Sequence, residues 1–156
     1  MSNISKIQKV LYTAHGHVEG GREGRGQSTD SNKKPDGTID LQLHLPKEMG
    51  GQGGGSNPEQ LFAVGYAACF EGAVRFVAGQ QKADVKGAHV DSSVSIGPRE
   101  GSGFAIRAKL EVSLPNVDNE TAKAIVKAAH EDVCPYSHAT RGNIDVEITV
   151  HGESVV

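Results

Sequence analysis

Strict alternation of hydrophobic and polar residues predicts β-strands in the first third of this chain. The segment 38–45 alternates after a Pro35-Asp36-Gly37 turn signal, and the segment 10–18 is a second strand candidate. The residues that segment 38–45 places on one face are Ile39, Leu41, Leu43 and Leu45. A glycine-rich turn over 20–26 separates the two strands, and a glycine-rich loop over 50–56 separates them from the rest of the chain.

A second group of strands is predicted after residue 85. Alternation over 90–96 leads to a Gly97-Pro98 turn signal, and a longer alternating stretch over 104–114 ends at Pro115. The last alternating stretch covers 144–150.

Two helices are predicted between the strands. Asn57 is a suitable N-cap, Pro58 suits the first helical position, and Gln60 completes a capping-box pattern. The helix that begins there is apolar on nearly every side until Glu71, which indicates a helix buried all round.

The second helix is amphipathic. Asp118 is its predicted N-cap, and Pro135 disfavours helical geometry at Cys134 and so ends it. The order of strands, buried helix, strands, amphipathic helix and strand predicts an α+β fold. A length of 156 residues favours a single domain over 1–156.

Composition excludes several function classes. The net charge of −3, with both signs spread along the chain, gives no basic surface for nucleic acid or an anionic membrane. The apolar run over 61–78 is interrupted by Glu71 and Arg75 and is short for a membrane span. The polar start carries no secretory signal, so we expect a cytoplasmic protein whose thiols stay reduced.

The two cysteines are the candidate chemistry of the chain. Cys69 lies about twelve residues into the first helix, roughly 18 Å from its start, where the helix dipole cannot activate it. Burial would raise the pKa of this thiol, so a reactive Cys69 needs a cation from elsewhere. Arg22 or Arg25, in the glycine-rich turn, would serve.

Cys134 is predicted at a helix C-terminus, where the dipole disfavours an anion. This suits a thiol that stays protonated until it attacks a sulfenic acid on Cys69. We therefore rank Cys69 as the first nucleophile and Cys134 as the resolving thiol.

Two alternatives compete with this redox interpretation. Both cysteines would be inert if they only fill the core, because free Cys is among the most buried residue types. His130, Cys134 and His138 are spaced four apart, as metal ligands on a helix would be. However, zinc prefers four ligands and Pro135 breaks that helix, so we expect no metal.

The segments around these residues resemble the organic hydroperoxide resistance branch of the Ohr/OsmC family. The matching segments are VLYTA at 10–14, GGREG at 20–24, NPEQLFA at 57–63, GYAACF at 65–70 and VCPYSHATRGNIDV at 133–146. The resemblance implies a thiol peroxidase that reduces alkyl and fatty-acid hydroperoxides to alcohols. It implies recycling by an external dithiol, dihydrolipoamide or a lipoylated protein, and no resident cofactor.

The same resemblance implies an OsmC-like fold, with antiparallel sheets around a buried central helix, in an intertwined homodimer whose active sites lie at the interface. Carried over by position, Cys69 is the peroxidatic cysteine and Cys134 the resolving one. Arg22 holds the thiolate and orients the peroxide, and Glu59 pairs with that arginine. Glu23 and His138 depart from the Asp and Asn that the family commonly has there.

Two expectations extend this site. Glu59 and Cys69 are ten residues apart on one predicted helix, which places them about 15 Å apart along its axis. We therefore expect Glu59 to act on the site of the partner subunit. Apolar neighbours of the site would favour a peroxide with a hydrocarbon tail, and the candidates are Leu61, Phe62 and Phe70.

Two other functions stay open. A peroxidase of the OsmC branch would use similar chemistry on different peroxides, although the segment 134–143 favours the first branch. A non-enzymatic thiol module that senses redox state or binds metal is the alternative from another class.

Overall fold

A computed structural model describes residues 4–156 of the chain. The chain divides into two compact units, of which one ends at Asn57 and the other runs from Pro58 to Val156. A three-stranded sheet belongs to the first unit and a four-stranded sheet to the second. The single domain over 1–156 stays a prediction.

The N-terminal unit is an antiparallel sheet with its second strand in the middle. Its strands are β1 (His15–Glu19), β2 (Arg25–Thr29) and β3 (Pro35–Gln42). Two 3₁₀ turns, Gly21–Glu23 and Lys47–Met49, complete it. The strands follow the predicted alternation only in part.

The predicted strand over 10–18 begins late, since β1 starts at His15 and Val10 is 67% exposed. The predicted face of segment 38–45 is also incomplete. Ile39 is exposed, whereas Leu43 is buried but lies beyond β3, in an isolated bridge with Ser56. Alternation identified these strands, but most of their apolar side chains, such as Val18 and Ile39, are exposed in this chain.

The C-terminal unit combines three helices with a mixed sheet. Its elements are α1 (Pro58–Gln80), β4 (His89–Pro98), β5 (Phe104–Ser113), α2 (Asn119–Ala128), a π-helical turn (Ala129–Val133), α3 (Pro135–Thr140), β6 (Asp145–Val150) and β7 (Glu153–Ser154). The pairs β4–β5 and β6–β7 are antiparallel, while β5–β6 is parallel. A parallel pair needs a long crossover, which α2, the π turn and α3 supply.

The core of this unit lies between α1, α2 and the sheet. Its fully buried large side chains include Tyr66, Phe70 and Val74 of α1, Leu110 of β5, Ile125 of α2 and Ile148 of β6. The predicted α+β fold with a central helix is confirmed.

Helix α1 begins at Pro58 as predicted, but the prediction that it is buried all round is wrong for this chain. Tyr66, Phe70 and Val77 face the core, whereas Val64 is 71% and Phe76 57% exposed. Helix α1 is therefore apolar on both sides but buried on one side only in this chain.

Length and composition alone would allow α1 to cross a membrane, so the expectation of too short a run is not met. Length and composition are weak evidence for a membrane span, because a helix in the centre of a protein core can be equally long and apolar. One face of α1 belongs to the core cluster.

A predicted helix cap and a predicted turn have different outcomes. Asp118 is the N-cap of α2 as predicted, since its side chain accepts from the Thr121 N–H at 3.0 Å. The predicted Gly97 turn is wrong, because Gly97 pairs with Ala105 inside the β4–β5 ladder. The reversal comes later, where the Arg99 N–H donates to the Gly103 carbonyl at 3.1 Å.

Truncating the core should show how much stability the sheet–helix contact provides. Leu110 is fully buried, so Leu110→Ala should lower the free energy of unfolding by about 2–5 kcal/mol. Urea unfolding at fixed protein concentration measures this. The neighbouring Lys109→Ala is the control and should stay within about 0.5 kcal/mol of wild type. Equal effects of both variants would contradict this assignment of the core.

Candidate active site

The two cysteine sulfurs lie 3.5 Å apart, with the Cys134 thiol directed at Cys69. Both are free thiols, and Cys134 is 2% exposed while Cys69 is partly buried. A disulfide bond is about 2.0 Å long, so the sulfurs need to approach each other by roughly 1.5 Å. The pair is therefore placed for reversible bonding before any oxidant arrives.

A π-helical turn delivers Cys134 to this position. The Cys134 N–H donates to the Ala129 carbonyl at 2.9 Å, five residues back, instead of the four of an α-helix. Cys134 then leaves helical geometry with φ −71° and ψ 118°, as predicted from Pro135.

Cys134 also begins a helix that we did not predict. Pro135 is the first residue of α3, and the Ser137 N–H donates to Cys134 Sγ at 3.4 Å. Cys134 is thus the C-cap of the π turn, as predicted, and also the N-cap of α3, which was not predicted. Proline suits the first position of a helix as well as the end of one, and this signal was present in the sequence.

The pKa of Cys69 is raised, mainly because burial penalises the thiolate. The adjacent Cys134 raises the pKa further, whereas a hydrogen bond from the Tyr136 backbone N–H lowers it. The expected direction is confirmed. Within the C-terminal unit, these groups leave Cys69 as a thiol that needs additional positive charge to ionise.

One of the two candidate cations, Arg25, has a defined partner within its own sheet. Arg25 donates to both carboxylate oxygens of Asp40, at 2.7 and 2.5 Å, across β2 and β3. This bidentate pair commits the Arg25 guanidinium to its own sheet. Arg22 lies in the Gly21–Glu23 turn, and its role beside the Cys69 thiol stays a prediction.

The turn that carries Arg22 is tightly anchored within the N-terminal unit. The Glu23 carboxylate accepts from the Leu45 N–H at 2.9 Å and contacts His44 Nδ1 at 3.2 Å, and these contacts lower the pKa of Glu23. A Cβ on Gly24 would fall 1.6 Å from the Glu19 carbonyl oxygen, so this position requires glycine. The Glu23 departure thus has a defined structural role.

Glu59 lies in the first turn of α1, and Cys69 follows ten residues later in the same uninterrupted helix. This is the geometry on which the expected action across subunits depends. The second departure from the family pattern, His138, lies on α3 with its side chain exposed. Its backbone N–H donates to the Cys134 carbonyl at 3.0 Å.

A buried polar network beside Cys134 was not predicted. Ser137 Oγ lies 3.0 Å from Tyr66 Oη and 3.0 Å from His130 Nδ1, and Tyr66 Oη lies 3.1 Å from Thr140 Oγ1. The Arg141 guanidinium donates to the His130 carbonyl at 2.6 Å. Residue spacing gave no signal for it, because the partners come from α1, the π turn and α3.

An apolar cavity of about 300 Å³ adjoins Tyr136. Its lining residues are Phe62, Ile106, Tyr136, Ala139, Thr140, Asn143 and Ile144. Of the predicted substrate contacts, Phe62 lines this cavity and Leu61 is half-exposed. Phe70 is fully enclosed in the core, so its side chain offers no surface to a substrate in this chain.

Among residues 4–156, no three His, Cys, Asp or Glu side chains come together in a way that could hold a metal ion. His130 faces Ser137 instead.

Comparison with known proteins agrees with these features. The family of OsmC-like proteins matches residues 51–149. An organic hydroperoxide resistance protein of Xanthomonas axonopodis pv. citri is 51% identical over 149 residues, which cover 94% of this chain and 99% of the relative. The chain belongs to the OsmC-like family, in its organic hydroperoxide resistance branch.

Other members of the branch extend the likeness. Organic hydroperoxide resistance protein OhrB of Bacillus subtilis is 42% identical over 140 residues, covering 89% of this chain and 97% of OhrB. The crystal structure of a Vibrio cholerae protein of this branch, with captopril bound in one of its active sites, superposes with a TM-score of 0.86. It is 42% identical and covers 96% of this chain and 98% of its own.

The buried His130 predicts acid destabilisation. Burial, and secondarily the nearby Arg141, lower the pKa of this imidazole, whereas Glu131 opposes them. In the unfolded chain His130 takes up a proton near its ordinary pKa of about 6.5. The contribution of the neutral His130 to the free energy of unfolding is therefore complete above that pH and is lost as the pH falls through the lower pKa of the folded state.

The free energy of unfolding in urea should therefore be lower at about pH 5.5 than at about pH 7.5. His130→Asn should reduce this difference, whereas the exposed control His89→Asn should leave it as in wild type. An unchanged pH dependence in His130→Asn would contradict the assignment.

Proposed function

We propose that this protein is a thiol peroxidase that reduces organic hydroperoxides, alkyl and fatty-acid, to alcohols. The observation that carries the proposal is the contact of two free thiols at 3.5 Å, one partly accessible and one buried. Membership of the organic hydroperoxide resistance branch supports the choice of oxidant.

The first step oxidises Cys69. Its thiolate attacks the distal oxygen of the hydroperoxide, the O–O bond breaks, and the alkoxide takes a proton to leave as an alcohol. Cys69 becomes a sulfenic acid and the peroxide is reduced by two electrons. Arg22 stabilises the thiolate and the charge that develops on the peroxide oxygens, and Glu59 holds Arg22.

The second step closes the disulfide. The Cys134 sulfur attacks the Cys69 sulfenic acid, the S–O bond breaks and water leaves. A dihydrolipoyl dithiol, as dihydrolipoamide or on a lipoylated protein, then exchanges with the disulfide and returns both cysteines to thiols. No resident cofactor or metal takes part in this cycle.

The apolar cavity supports a substrate with a hydrocarbon tail. It lies next to Tyr136, whose backbone lowers the pKa of Cys69. A tail placed between Phe62 and Ile144 would remove apolar surface from water, which hydrogen peroxide cannot do.

A homodimer with active sites at its interface is part of the proposal. The outer face of α1 exposes Val64 and Phe76, and the N-terminal unit buries few side chains in a single chain. Apolar surface of this extent favours association. We place the enzyme in the cytoplasm, where thiols are kept reduced, with neither nucleic acid nor membrane as a partner.

The two cysteines should fail in different ways. Cys69→Ser should lower the reduction of cumene hydroperoxide by at least about a thousandfold, because the nucleophile is lost. Cys134→Ser should still consume peroxide in one turnover and then stop with dihydrolipoamide as reductant. Equal steady-state rates for Cys134→Ser and wild type would contradict the resolving role, and an inactive wild type would contradict the peroxidase.

Mixed dimers test the action of Glu59 across subunits. Glu59→Gln and Cys69→Ser homodimers should both be inactive. After unfolding and refolding together, the mixed dimer joins an intact Cys69 with an intact Glu59 from the other subunit. Recovery of about a quarter of wild-type activity is expected, since half of the dimers are mixed and each has one competent site. No recovery would show that Glu59 acts within its own chain.

A further inference from the structure

The buried network around Ser137 connects the elements that carry the two cysteines. Tyr66 lies on α1, three residues before Cys69, and Ser137 lies on α3, three residues after Cys134. Their hydroxyl oxygens are 3.0 Å apart and both residues are fully buried. This hydrogen bond ties the helix of one thiol to the helix that begins at the other.

His130 adds a second tie on the other side of Cys134. It belongs to the π turn that precedes Cys134, and its Nδ1 lies 3.0 Å from Ser137 Oγ. The imidazole is 3% exposed, and the Arg141 guanidinium holds its backbone carbonyl. The segments before and after Cys134 therefore meet at one hydroxyl group.

Ser137 also contacts the reacting group itself. Its backbone N–H donates to Cys134 Sγ at 3.4 Å. Fixing the Ser137 side chain between Tyr66 and His130 consequently fixes the donor that orients the Cys134 sulfur. The Cys134 thiol in turn points at Cys69 Sγ.

We infer that Tyr66, Ser137 and His130 form a clamp that positions Cys134 against Cys69 and so favours the disulfide over further oxidation of Cys69. These three are positioning residues, which act through Cys134. The effect on peroxide turnover rests on the proposed function, whereas the effect on the thiol pair does not. A hydroxyl group can donate once and accept twice, so Ser137 is able to bond both partners at once.

Equilibration with reduced and oxidised glutathione tests the clamp without any peroxide. The ratio of disulfide to dithiol gives the effective concentration of one cysteine towards the other. Ser137→Ala keeps the backbone N–H but removes the shared hydroxyl, and should lower the effective concentration about tenfold, the factor expected for a lost buried hydrogen bond. Tyr66→Phe, which keeps the ring, should lower it in the same direction.

The controls separate positioning from general loss of stability. Ser92→Ala removes another hydrogen bond to α1, from Ser92 Oγ to the Ala63 carbonyl at 2.8 Å, and should leave the effective concentration within about twofold of wild type. The double variant Tyr66→Phe/Ser137→Ala should lower the effective concentration by less than the product of the two single effects, because both substitutions remove the same hydrogen bond between Tyr66 and Ser137. The effective concentration should stay closer to the wild-type value in His130→Asn than in His130→Ala, because an asparagine side chain can still bond the Ser137 hydroxyl. Effective concentrations of Ser137→Ala and Tyr66→Phe equal to or above that of Ser92→Ala would overturn the clamp.

Cumene hydroperoxide then tests the kinetic consequence. Sulfenic acid formation in Ser137→Ala should stay within about twofold of wild type, while disulfide formation slows about tenfold and sulfinic acid accumulates on Cys69. Unchanged disulfide formation in this variant would overturn the kinetic role. A wild-type protein that leaves the hydroperoxide intact would overturn the proposed peroxidase, and the glutathione equilibrium would still decide the clamp.

Discussion

The contact between the Cys69 and Cys134 sulfurs sets the demands that the surrounding structure meets. Two thiols at 3.5 Å in a partly buried place disfavour a thiolate, and burial accordingly raises the pKa of Cys69. The site must hold the sulfurs together and also supply charge to ionise one of them. The C-terminal unit meets the first demand through the π turn, α3 and the buried hydroxyl groups. The proposal assigns the second demand to Arg22, which the N-terminal unit carries on a glycine-dependent turn.

Most regular elements followed from local patterns in the sequence. Alternation identified the long strand β5, and side-chain chemistry identified the starts of α1 at Pro58 and α2 after Asp118. These features depend on neighbours a few residues apart. The Gly97-Pro98 signal misled because a strand edge tolerates proline, so the ladder continued to Pro98.

Only those parts of the candidate site that depend on the reactivity of a single side chain could be predicted from the sequence. Cys69 and Cys134 were identified as a pair, but neither their separation nor the network of Tyr66, Ser137 and His130 is visible in residue spacing. The π turn and α3 were not predicted because they depend on two hydrogen bonds of Cys134, from its N–H to the Ala129 carbonyl and from the Ser137 N–H to its sulfur. The exposure of the outer face of α1 was not predicted either, because apolar composition alone does not tell which side of a helix the chain itself covers.

Peptide mapping without reduction, after reaction with one equivalent of cumene hydroperoxide, tests the central claim most directly. The account predicts that peptides containing Cys69 and Cys134 become joined within one chain, with cumyl alcohol formed in equal amount. An unmodified Cys69, or peptides joined only between chains, would contradict it.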